Sequence, residues 1–441
     1  KLMHYIISQN INTDTIMSTV EKRRTSAWYE NYSYFYEGIY QVALMSRFYE
    51  THLNSFHHVN AKDMWDTYTS DYYQMDTYYR EFHNAFSNCL QVTHPSLDDD
   101  FKDLADYVEK EYKNWYLEKL ASNWNKVIEK DLSTTGHIIG IAQQTDFYRD
   151  IVKKVDGKVF VIVSDAMRYD VAYTLARELE LETNADVKIS AHQGIYPTIT
   201  KFGMAALLPH KKLETVVQNE SIKVLVDGHT SEMSDRDGIL KSYSENSIAL
   251  KYKDIIGMKV DERRNAIKGK DIIYIYHDKI DASSHNDEST VFDACTNTVQ
   301  ELKNLVNIIC GSLNGVNVII TSDHGFLYTY QGLNEEDKME RSSFKKDIIE
   351  QGRRYVITDD QADPDFLMPV KGIYNDSNML GFAPRENIRI KGAGGINFVH
   401  GGTSLQEICV PVIEYKFLRS GYKALKLNKD KYDTKTVSIS L

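Results

Sequence analysis

The sequence predicts an α/β domain preceded by an all-α, aromatic-rich region. Near residue 150, aromatic residues at helical spacing give way to short apolar runs that alternate with helical runs. The first apolar run, Lys158–Ser164, is rich in β-branched residues and has no polar alternation, which is typical of a buried strand in a parallel sheet. A long helical run at Val291–Leu313 separates two later predicted strands, as a right-handed crossover connection requires. The predicted fold is therefore a mainly parallel sheet flanked by helices.

Length, composition and charge restrict the class of protein. A chain of 441 residues is expected to form two or three domains. Its 42% hydrophobic and 26% charged residues are typical of a soluble globular protein, and no apolar run approaches the ~18 residues of a membrane helix. We find no secretory signal, and the 4 cysteines are scattered, so we expect a cytoplasmic protein with reduced thiols and no membrane contact. The net charge of −11 argues against broad non-specific binding of duplex DNA.

Residues 1–150 are expected to be helical. Aromatic residues recur at spacings of three and four, for example at Tyr68, Tyr72 and Tyr79. Such a stripe either packs between helices or stacks against nucleic-acid bases, and we favour packing between helices. The change of pattern indicates a domain boundary, so we expect this region to be removable without loss of the α/β domain.

The predicted α/β domain covers residues 151–420. Its predicted strands are Phe160–Ser164, Val187–Ser190, Val224–Val226, Ile272–Tyr276, Val316–Thr321 and Ile408–Tyr415. A polar, irregular stretch at about 326–392 is expected to be an insertion or cap. Pro411 suggests that the last strand lies at an edge or contains a bulge. Residues 421–441 suggest the start of a further β-rich segment or a linker, and we expect the chain to be part of a longer protein.

Asp165 follows the first predicted strand directly. In open α/β sheets, ligands bind outside the carboxyl ends of the strands, so Asp165 lies where chemistry is expected. The alternative is that Asp165 only caps the helix that follows it. Three later segments also place polar side chains after predicted strands or at a helix start, and this favours a functional role for Asp165 over a simple cap.

The first of these segments contains two candidate nucleophiles. Thr200 lies where an N-cap would begin a helix over Lys201–Leu208, and the positive end of that helix would favour its alkoxide and an incoming phosphate. A simple cap is the alternative role. Thr198 is the competing hydroxyl, and it ranks second because it lies in the extended approach to the helix.

Two further strand ends carry candidate metal ligands. Asp281 and His285 are one helical turn apart, so their side chains can converge on one ion, although His277 and Asp278 compete for that role. Another buried strand ends in adjacent Asp323 and His324, and the glycine after them permits the chain to turn. His400 lies alone in a glycine-rich loop. The mixture of carboxylate and imidazole groups suits a pair of zinc or manganese ions better than calcium or magnesium.

Four motifs resemble the PglZ family, a branch of the alkaline-phosphatase superfamily known from BREX phage-defence systems. The resemblance spans roughly residues 155–415 and rests on Ser164–Asp170, Pro197–Pro209, Ser322–Phe326 and Val399–Glu407. It implies an alkaline-phosphatase-like core with two divalent metal ions beside a Ser or Thr nucleophile. By this resemblance, one metal takes Asp165, Thr200, Asp323 and His324, and the other takes Asp281, His285 and His400. No second arginine motif clamps the phosphate, and the nearest substrate-binding candidates are Arg168 and Lys201.

The function implied is that of a metal-dependent phosphohydrolase of a BREX defence system. We favour a phosphodiesterase or nuclease that acts on nucleotides or nucleic acid, with Thr200 as the attacking group, and we expect other BREX proteins as partners. A phosphomonoesterase is the first alternative. The others are a non-catalytic, metal-bound scaffold and a nucleic-acid-binding module.

Overall fold

The computed structural model describes most of the chain. The described residues are 2–8, 12–91, 95–218, 221–333, 338–339, 348–359, 366–374, 379–392, 397–418, 424–425 and 437–438. Parts of the predicted insertion, the glycines at 394–395 and most of the predicted segment 421–441 lie outside them. None of the described helices is long and apolar enough to cross a membrane.

Aromatic side chains hold the N-terminal helices together. Tyr79 stacks on Tyr112 with 3.7 Å between ring centroids, and Phe48 meets Trp115 edge to face. Tyr79, Tyr112 and Trp124 are fully buried, as expected for residues that pack between helices. Two π-helical turns, Tyr68–Tyr72 and Lys110–Leu117, precede α5 and α7. The helices are α1 (Leu2–Ile7), α2 (Thr13–Arg23), α3 (Ser33–His52), α4 (Ala61–Thr67), α5 (Tyr73–Gln91), α6 (Pro95–Glu109), α7 (Glu118–Thr134) and α8 (Phe147–Asp150).

Strands alternate with helices after residue 158, as the sequence predicts. The elements that follow α8 are β1 (Val159–Ser164), α9 (Tyr169–Glu182), β2 (Ala185–Gln193), α10 (Thr200–Ala206), β3 (Leu213–Gln218), β4 (Ser221–Val226), β5 (His229–Thr230), α11 (Met233–Tyr243), β6 (Ser247–Lys251), α12 (Tyr252–Gly257), α13 (Val260–Ala266), β7 (Ile272–His277), α14 (Lys279–Asn286), α15 (Val291–Ser312) and β8 (Asn317–Thr321).

The last part of the chain contains short strands and one long strand. These elements are β9 (Leu327–Tyr328), β10 (Lys338–Met339), β11 (Ile348–Gln351), β12 (Val356–Thr358), β13 (Leu367–Val370), β14 (Leu380–Pro384), β15 (Arg389–Ile390), β16 (Phe398–Val399), α16 (Leu405–Ile408), β17 (Cys409–Phe417), β18 (Ala424–Leu425) and β19 (Val437–Ser438). Strands β11, β12, β14 and β13 form an antiparallel sheet inside the predicted insertion, and β18 pairs with β19.

A six-stranded central sheet has the strand order β2-β17-β8-β1-β7-β6. All strands but β17 run in the same direction, so the predicted, mainly parallel sheet is confirmed. Every residue of β1 is buried, since strands lie on both sides of it and helices cover the sheet. In the register of β1, Ser164 is level with His277 of β7, and Val163 is level with Thr321 of β8. The carboxyl ends of these three strands therefore open at one edge of the sheet.

The predicted strand at Val224–Val226 is observed as the end of β4, which pairs with β3 and β5 in an antiparallel sheet separate from the central one. The prediction that the last strand lies at an edge or contains a bulge is wrong. Strand β17 is not an edge strand, and its pairing with β2 continues through Pro411 without a register shift. The missing N–H of Pro411 is tolerated because pairing with β8 begins only at Val412, and Thr321 donates its hydroxyl to the Pro411 carbonyl at 2.8 Å.

The N-terminal helices share their core with the α/β region. Arg80 of α5 donates from Nε to Asp170 of α9 at 2.9 Å, and both side chains are fully buried. Gln406 of α16 donates to the buried carboxylate of Asp76, and Trp124 donates to the Thr403 carbonyl at 2.7 Å. One continuous cluster of buried apolar side chains joins both regions. The change of pattern near residue 150 therefore does not separate two independent cores.

We expect residues 150–441, produced without the helices, to give an insoluble or non-cooperative protein. Truncation exposes the apolar face of α9 that packs against α5, and it removes Arg80, one of the two buried arginines that pair with Asp170. Solubility and thermal unfolding of the truncated and full chains provide the measurement. A soluble fragment with a single cooperative transition would contradict this expectation and restore the boundary that the sequence suggests.

Candidate active site

The ends of β1 and β8 bring Asp165, Asp323 and His324 together. His324 Nε2 lies 3.7 Å from Asp165 Oδ1 and 3.5 Å from Asp323 Oδ2. One ligand atom from each of the three residues falls within 4.8 Å of the others, and all three residues are buried. No other group of three or more such side chains meets this spacing within the described part of the chain. We refer to these three residues as the carboxylate–imidazole cluster.

Backbone hydrogen bonds fix the turn that carries Asp165. Ala166 adopts φ +59° and donates from its N–H to Asp323 Oδ1 at 3.1 Å, and Met167 donates to the Ser322 hydroxyl at 2.8 Å. The His324 N–H donates to the same Asp323 oxygen at 3.0 Å. One oxygen of Asp323 therefore holds both loops, which leaves Oδ2 without a hydrogen-bond partner.

Glycine permits close backbone contact at two points. A Cβ on Gly203 of α10 would lie 2.2 Å from the Asp323 carbonyl oxygen, and a Cβ on Gly325 would lie 2.1 Å from the Gln406 oxygen. No side chain fits at these distances, so only glycine lets α10 and α16 pack against the loop after β8. These contacts explain the glycines of the motifs at 197–209 and 322–326.

Gln144 was not identified from the sequence. Its buried side chain donates from Nε2 to the carbonyls of Ser322 at 3.1 Å and Asp323 at 2.7 Å, and its Oε1 accepts from the Ile195 N–H at 3.1 Å. Gln144 thus joins the loop after β8 to the segment that leads to Thr200. It precedes the first predicted strand and belongs to no motif, so the sequence carried no signal for this role.

Thr200 is the first residue of α10, not its cap. Ile199 takes the N-cap position, and no side chain caps this helix end. The Thr200 hydroxyl lies 3.2 Å from His324 Nε2. Because His324 Nδ1 is 2.9 Å from the Gly325 carbonyl, which can only accept, a neutral His324 ring carries its proton on Nδ1, and its Nε2 can then accept from the hydroxyl. The predicted cap is therefore wrong, and the predicted proximity of Thr200 to His324 is observed.

Thr198 faces away from the cluster. Its hydroxyl is buried, donates to the Gly402 carbonyl at 2.8 Å and accepts from the Gly401 N–H at 3.1 Å. A hydroxyl with two backbone partners is poorly placed to attack a substrate. The geometry thus favours Thr200 as the candidate nucleophile.

The second predicted ligand set, Asp281, His285 and His400, is not assembled into a cluster. His285 is 74% exposed, and its Nε2 lies 3.2 Å from Asp281 Oδ2 on the same helix. The His400 ring instead stacks on His324 with 4.3 Å between centroids. His285 and His400 nevertheless line the same cavity. His277 and Asp278, the alternative candidates for metal ligands, have other partners. His277 forms hydrogen bonds to Ser164 and Glu301, and Asp278 pairs with Lys253 at the surface.

The charge at the site suits a divalent cation. Burial, followed by the charges of Asp323 and Asp281, raises the pKa of Asp165 well above its ordinary value, and burial also raises the pKa of Asp323. Asp165 Oδ1, Asp281 Oδ1 and Asp323 Oδ2 are buried without a hydrogen-bond partner. Three unpartnered carboxylate oxygens beside an imidazole nitrogen fit a metal ion, which would supply the missing positive charge.

A cavity of about 940 Å³ lies beside Thr200 and His400, the neighbours of the cluster. Its wall includes Thr200, Lys201, His285, Arg353 and His400. Lys201 donates from Nζ to Glu350 at 2.6 Å, which places its charge beside a carboxylate. Arg353 follows β11 in the insertion and donates to the Ile390 carbonyl at 3.2 Å. The sequence prediction missed Arg353 because it lies in an irregular polar stretch without a motif.

Arg168 does not line this cavity. The side chain is fully buried, donates from Nε to Asp170 at 2.7 Å and lies over the Phe326 ring at 4.9 Å. A substrate could reach it only by displacing the core around α9. The structure therefore contradicts its suggested role in substrate binding, which came from its nearness to Asp165 in the sequence alone.

Comparison with protein families identifies the chain. Residues 145–415 match the family model described as the BREX system PglZ alkaline phosphatase-like domain. The chain belongs to the PglZ family. The match confirms the predicted alkaline-phosphatase-like core, and helices α1 to α7 confirm the predicted helical N-terminal region. The match begins at residue 145, so it covers the central sheet, the cluster and α16.

Two curated relatives match nearly the whole chain. The alkaline phosphatase-like protein BrxZ of Escherichia coli O9:H4 (strain HS) is 32% identical over 95% of this chain and 50% of its own length. The alkaline phosphatase-like protein PglZ of Bacillus cereus (strain H3081.97) is 33% identical over 100% of this chain and 52% of its own length. The chain thus spans about half the length of these relatives.

Among solved structures, the chain is similar to murine and human ectonucleotide pyrophosphatase / phosphodiesterase 5. Each similarity has 13% sequence identity and covers 59% of this chain and 88% of the other, with TM-scores of 0.40 for the murine protein and 0.41 for the human protein.

Proposed function

We propose that this PglZ-family chain is a metal-dependent phosphohydrolase, most specifically a phosphodiesterase that acts on nucleotides or nucleic acid. One observation carries the proposal: the Thr200 hydroxyl lies 3.2 Å from His324 Nε2, beside the carboxylate–imidazole cluster and on the wall of a cavity. A hydroxyl nucleophile next to a cation site is the arrangement that covalent phosphoryl transfer requires.

The cluster of Asp165, Asp323 and His324, with Asp281 nearby, would hold one divalent ion, and His285 and His400 would contribute to a second. Zinc or manganese bound here would polarise the phosphoryl oxygens and lower the pKa of the Thr200 hydroxyl. Without metal, the hydrogen bond to His324 Nε2 holds the threonine oxygen beside the cluster. The ion would take the lone pair of Nε2, and the threonine oxygen would then lie next to the ion.

In the proposed reaction, Thr200 Oγ1 forms a bond to phosphorus as the bond between phosphorus and the leaving oxygen breaks. The leaving oxygen takes up the proton that the Thr200 hydroxyl loses, directly or through water, and the phosphoryl group with its second ester substituent stays on Thr200. Water then attacks phosphorus on the side opposite Thr200, releases the phosphate product and restores the hydroxyl.

The charges on the cavity wall favour a diester over a monoester. Lys201 and Arg353 share the wall with Asp287, Glu288 and Glu350, and Glu350 already pairs with Lys201. A monoester carries one more negative charge than a diester and would need an additional cation beside its oxygens. Membership of the BREX-associated family supports other BREX proteins as partners and nucleotides or nucleic acid as substrates.

We expect zinc- or manganese-loaded protein to hydrolyse bis(p-nitrophenyl) phosphate faster than p-nitrophenyl phosphate. Treatment with a chelator should abolish turnover because the cluster then lacks its counter-charge, and added metal should restore it. Release of nitrophenolate provides the rate, and the Thr200→Ala protein provides the control for contaminating phosphatases. Faster cleavage of the monoester would favour the phosphomonoesterase, and a metal-loaded protein without any turnover would favour the non-catalytic scaffold.

A further inference from the structure

The loop His400–Gly402 is held to the segment before Thr200 by three hydrogen bonds. Thr198 makes all three: its hydroxyl donates to the Gly402 carbonyl and accepts from the Gly401 N–H, and its carbonyl oxygen lies 3.3 Å from His400 Nδ1. Thr198 is 1% exposed, so water does not compete for these bonds. The position of His400 therefore depends on a residue two places before the candidate nucleophile.

A buried ion pair holds the other side of this loop. Glu407 accepts from the Gly402 N–H at 2.8 Å and pairs with Arg354 of the insertion at 3.1 Å, and both charged side chains are buried. Gly401 has φ +110°, a backbone conformation that favours glycine, and a Cβ there would lie 2.5 Å from Tyr355. The loop is thus fixed on both sides, with Thr198 on the side of α10.

The bond to the Thr198 carbonyl selects the tautomer of the neutral His400 ring. A carbonyl oxygen can only accept, so Nδ1 carries the proton and Nε2 keeps its lone pair. A histidine that binds a metal commonly donates its other ring N–H to a carbonyl or carboxylate in this way. The His400 ring is also parallel to that of His324, within 10°, at the border of the cluster.

We propose that Thr198 is a positioning residue that fixes the His400 loop, and with it the tautomer and orientation of His400, for a second divalent ion beside the carboxylate–imidazole cluster. This inference rests on the proposed function. It assigns a role to a hydroxyl that the sequence offered only as a competing nucleophile. Loss of the Thr198 hydroxyl would free two backbone groups of the loop, the Gly401 N–H and the Gly402 carbonyl.

The test compares zinc binding by Thr198→Val and Thr198→Ser. Valine keeps the shape of threonine without the hydroxyl, so both bonds to Gly401 and Gly402 are lost, whereas serine keeps them. We expect two zinc ions in the natural protein. In Thr198→Val, the affinity for the second ion should fall about 10- to 100-fold, while that for the first should stay unchanged. Thr198→Ser should restore the second affinity.

Thr183→Val is the matched control. The Thr183 hydroxyl also donates one hydrogen bond, to the Leu179 carbonyl, and accepts one, from Tyr415, but it precedes β2 at the amino end of the sheet. Both valine variants should therefore lose a similar amount of thermal stability. Only Thr198→Val should alter zinc binding, the visible spectrum of the cobalt-loaded protein and kcat, with KM little changed.

Equal affinities for both zinc ions in Thr198→Val and the natural protein would overturn the inference, and so would a natural protein that binds only one ion. If Thr198→Val gives no soluble protein, Thr198→Ala removes the same hydroxyl with a smaller side chain and decides the question by the same titration. Zinc binding is measured without substrate. An absence of phosphoester hydrolysis would therefore overturn the proposed function while the titration still decides the role of Thr198.

Discussion

Replacing Thr200 by alanine is expected to reduce phosphodiester turnover by at least about 10³-fold, as for removal of other hydroxyl nucleophiles. The variant removes the oxygen that lies beside His324 Nε2 and leaves every carboxylate and imidazole of the cluster in place. Metal content should therefore remain that of the natural protein. Thermal stability should change by less than the ~1 kcal/mol typical of a lost cap, because this hydroxyl caps no helix.

Thr200→Ser tests whether activity depends on the hydroxyl or on the packing of the threonine methyl group. Serine keeps the hydroxyl and loses only the methyl group, so part of the activity should survive, whereas alanine should leave none above background. Hydrolysis rate, metal stoichiometry and melting temperature measured on the three proteins provide the comparison. An alanine variant with full activity would exclude a covalent threonine intermediate, and one that loses its metal would show that Thr200 acts as a ligand.

The carboxylate–imidazole cluster could be predicted because it depends on sheet topology. Asp165 and Asp323 each follow an apolar run, and parallel strands that are neighbours in a sheet bring their carboxyl ends to the same edge. His324 is adjacent to Asp323, and its Nε2 lies 3.5 Å from Asp323 Oδ2, while Gly325 is needed for the close contact with the Gln406 carbonyl. Strand pattern and chain direction thus specify most of this geometry.

The positions of side chains that depend on contacts between residues far apart in the sequence could not be predicted. Arg168 is close to Asp165 in sequence, but its guanidinium turns into the core toward Asp170, whereas Arg353 reaches the cavity from an insertion more than 150 residues away in the chain. Gln144 holds the loop of Asp323 through carbonyl contacts that leave no pattern in the sequence. The same limit applies to the helical region, whose aromatic pattern does not reveal that Arg80 pairs with Asp170.

Replacing Asp323 by asparagine is expected to abolish hydrolysis without unfolding the metal-free protein. Asparagine can keep the oxygen that accepts from the Ala166 and His324 N–H groups, so both loops stay joined. The change removes the negative charge and replaces Oδ2, the oxygen without a partner, by an amide group that cannot bind a cation. Affinity for the tighter metal should fall by at least about 10²-fold, and turnover should fall with it.

Replacing Asp323 by asparagine should remove one source of pH dependence from the stability of the metal-free protein. Burial raises the pKa of Asp323 above its ordinary value of 3.8, so the folded state binds this proton more tightly than the unfolded state does. In the metal-free natural protein, the contribution of Asp323 to the free energy of unfolding therefore falls as the pH rises from its ordinary pKa of 3.8 through its raised pKa in the folded state. Asparagine has no such proton, so the metal-free variant should equal or exceed the natural protein in stability at neutral pH.

With zinc bound, the natural protein should be more stable than Asp323→Asn. A ligand that binds only the folded state stabilises it by about 2.7 kcal/mol at one hundred times its dissociation constant, so zinc should raise the melting temperature of the natural protein and have little effect on Asp323→Asn. Asp271→Asn, an exposed carboxylate before β7 at the opposite end of the sheet, is the matched control and should respond to zinc as the natural protein does. An Asp323→Asn protein that zinc still stabilises fully would show that the ion binds elsewhere. One that is unstable without metal would show that the carboxylate charge itself holds the two loops together, because the amide keeps the same hydrogen-bond acceptor.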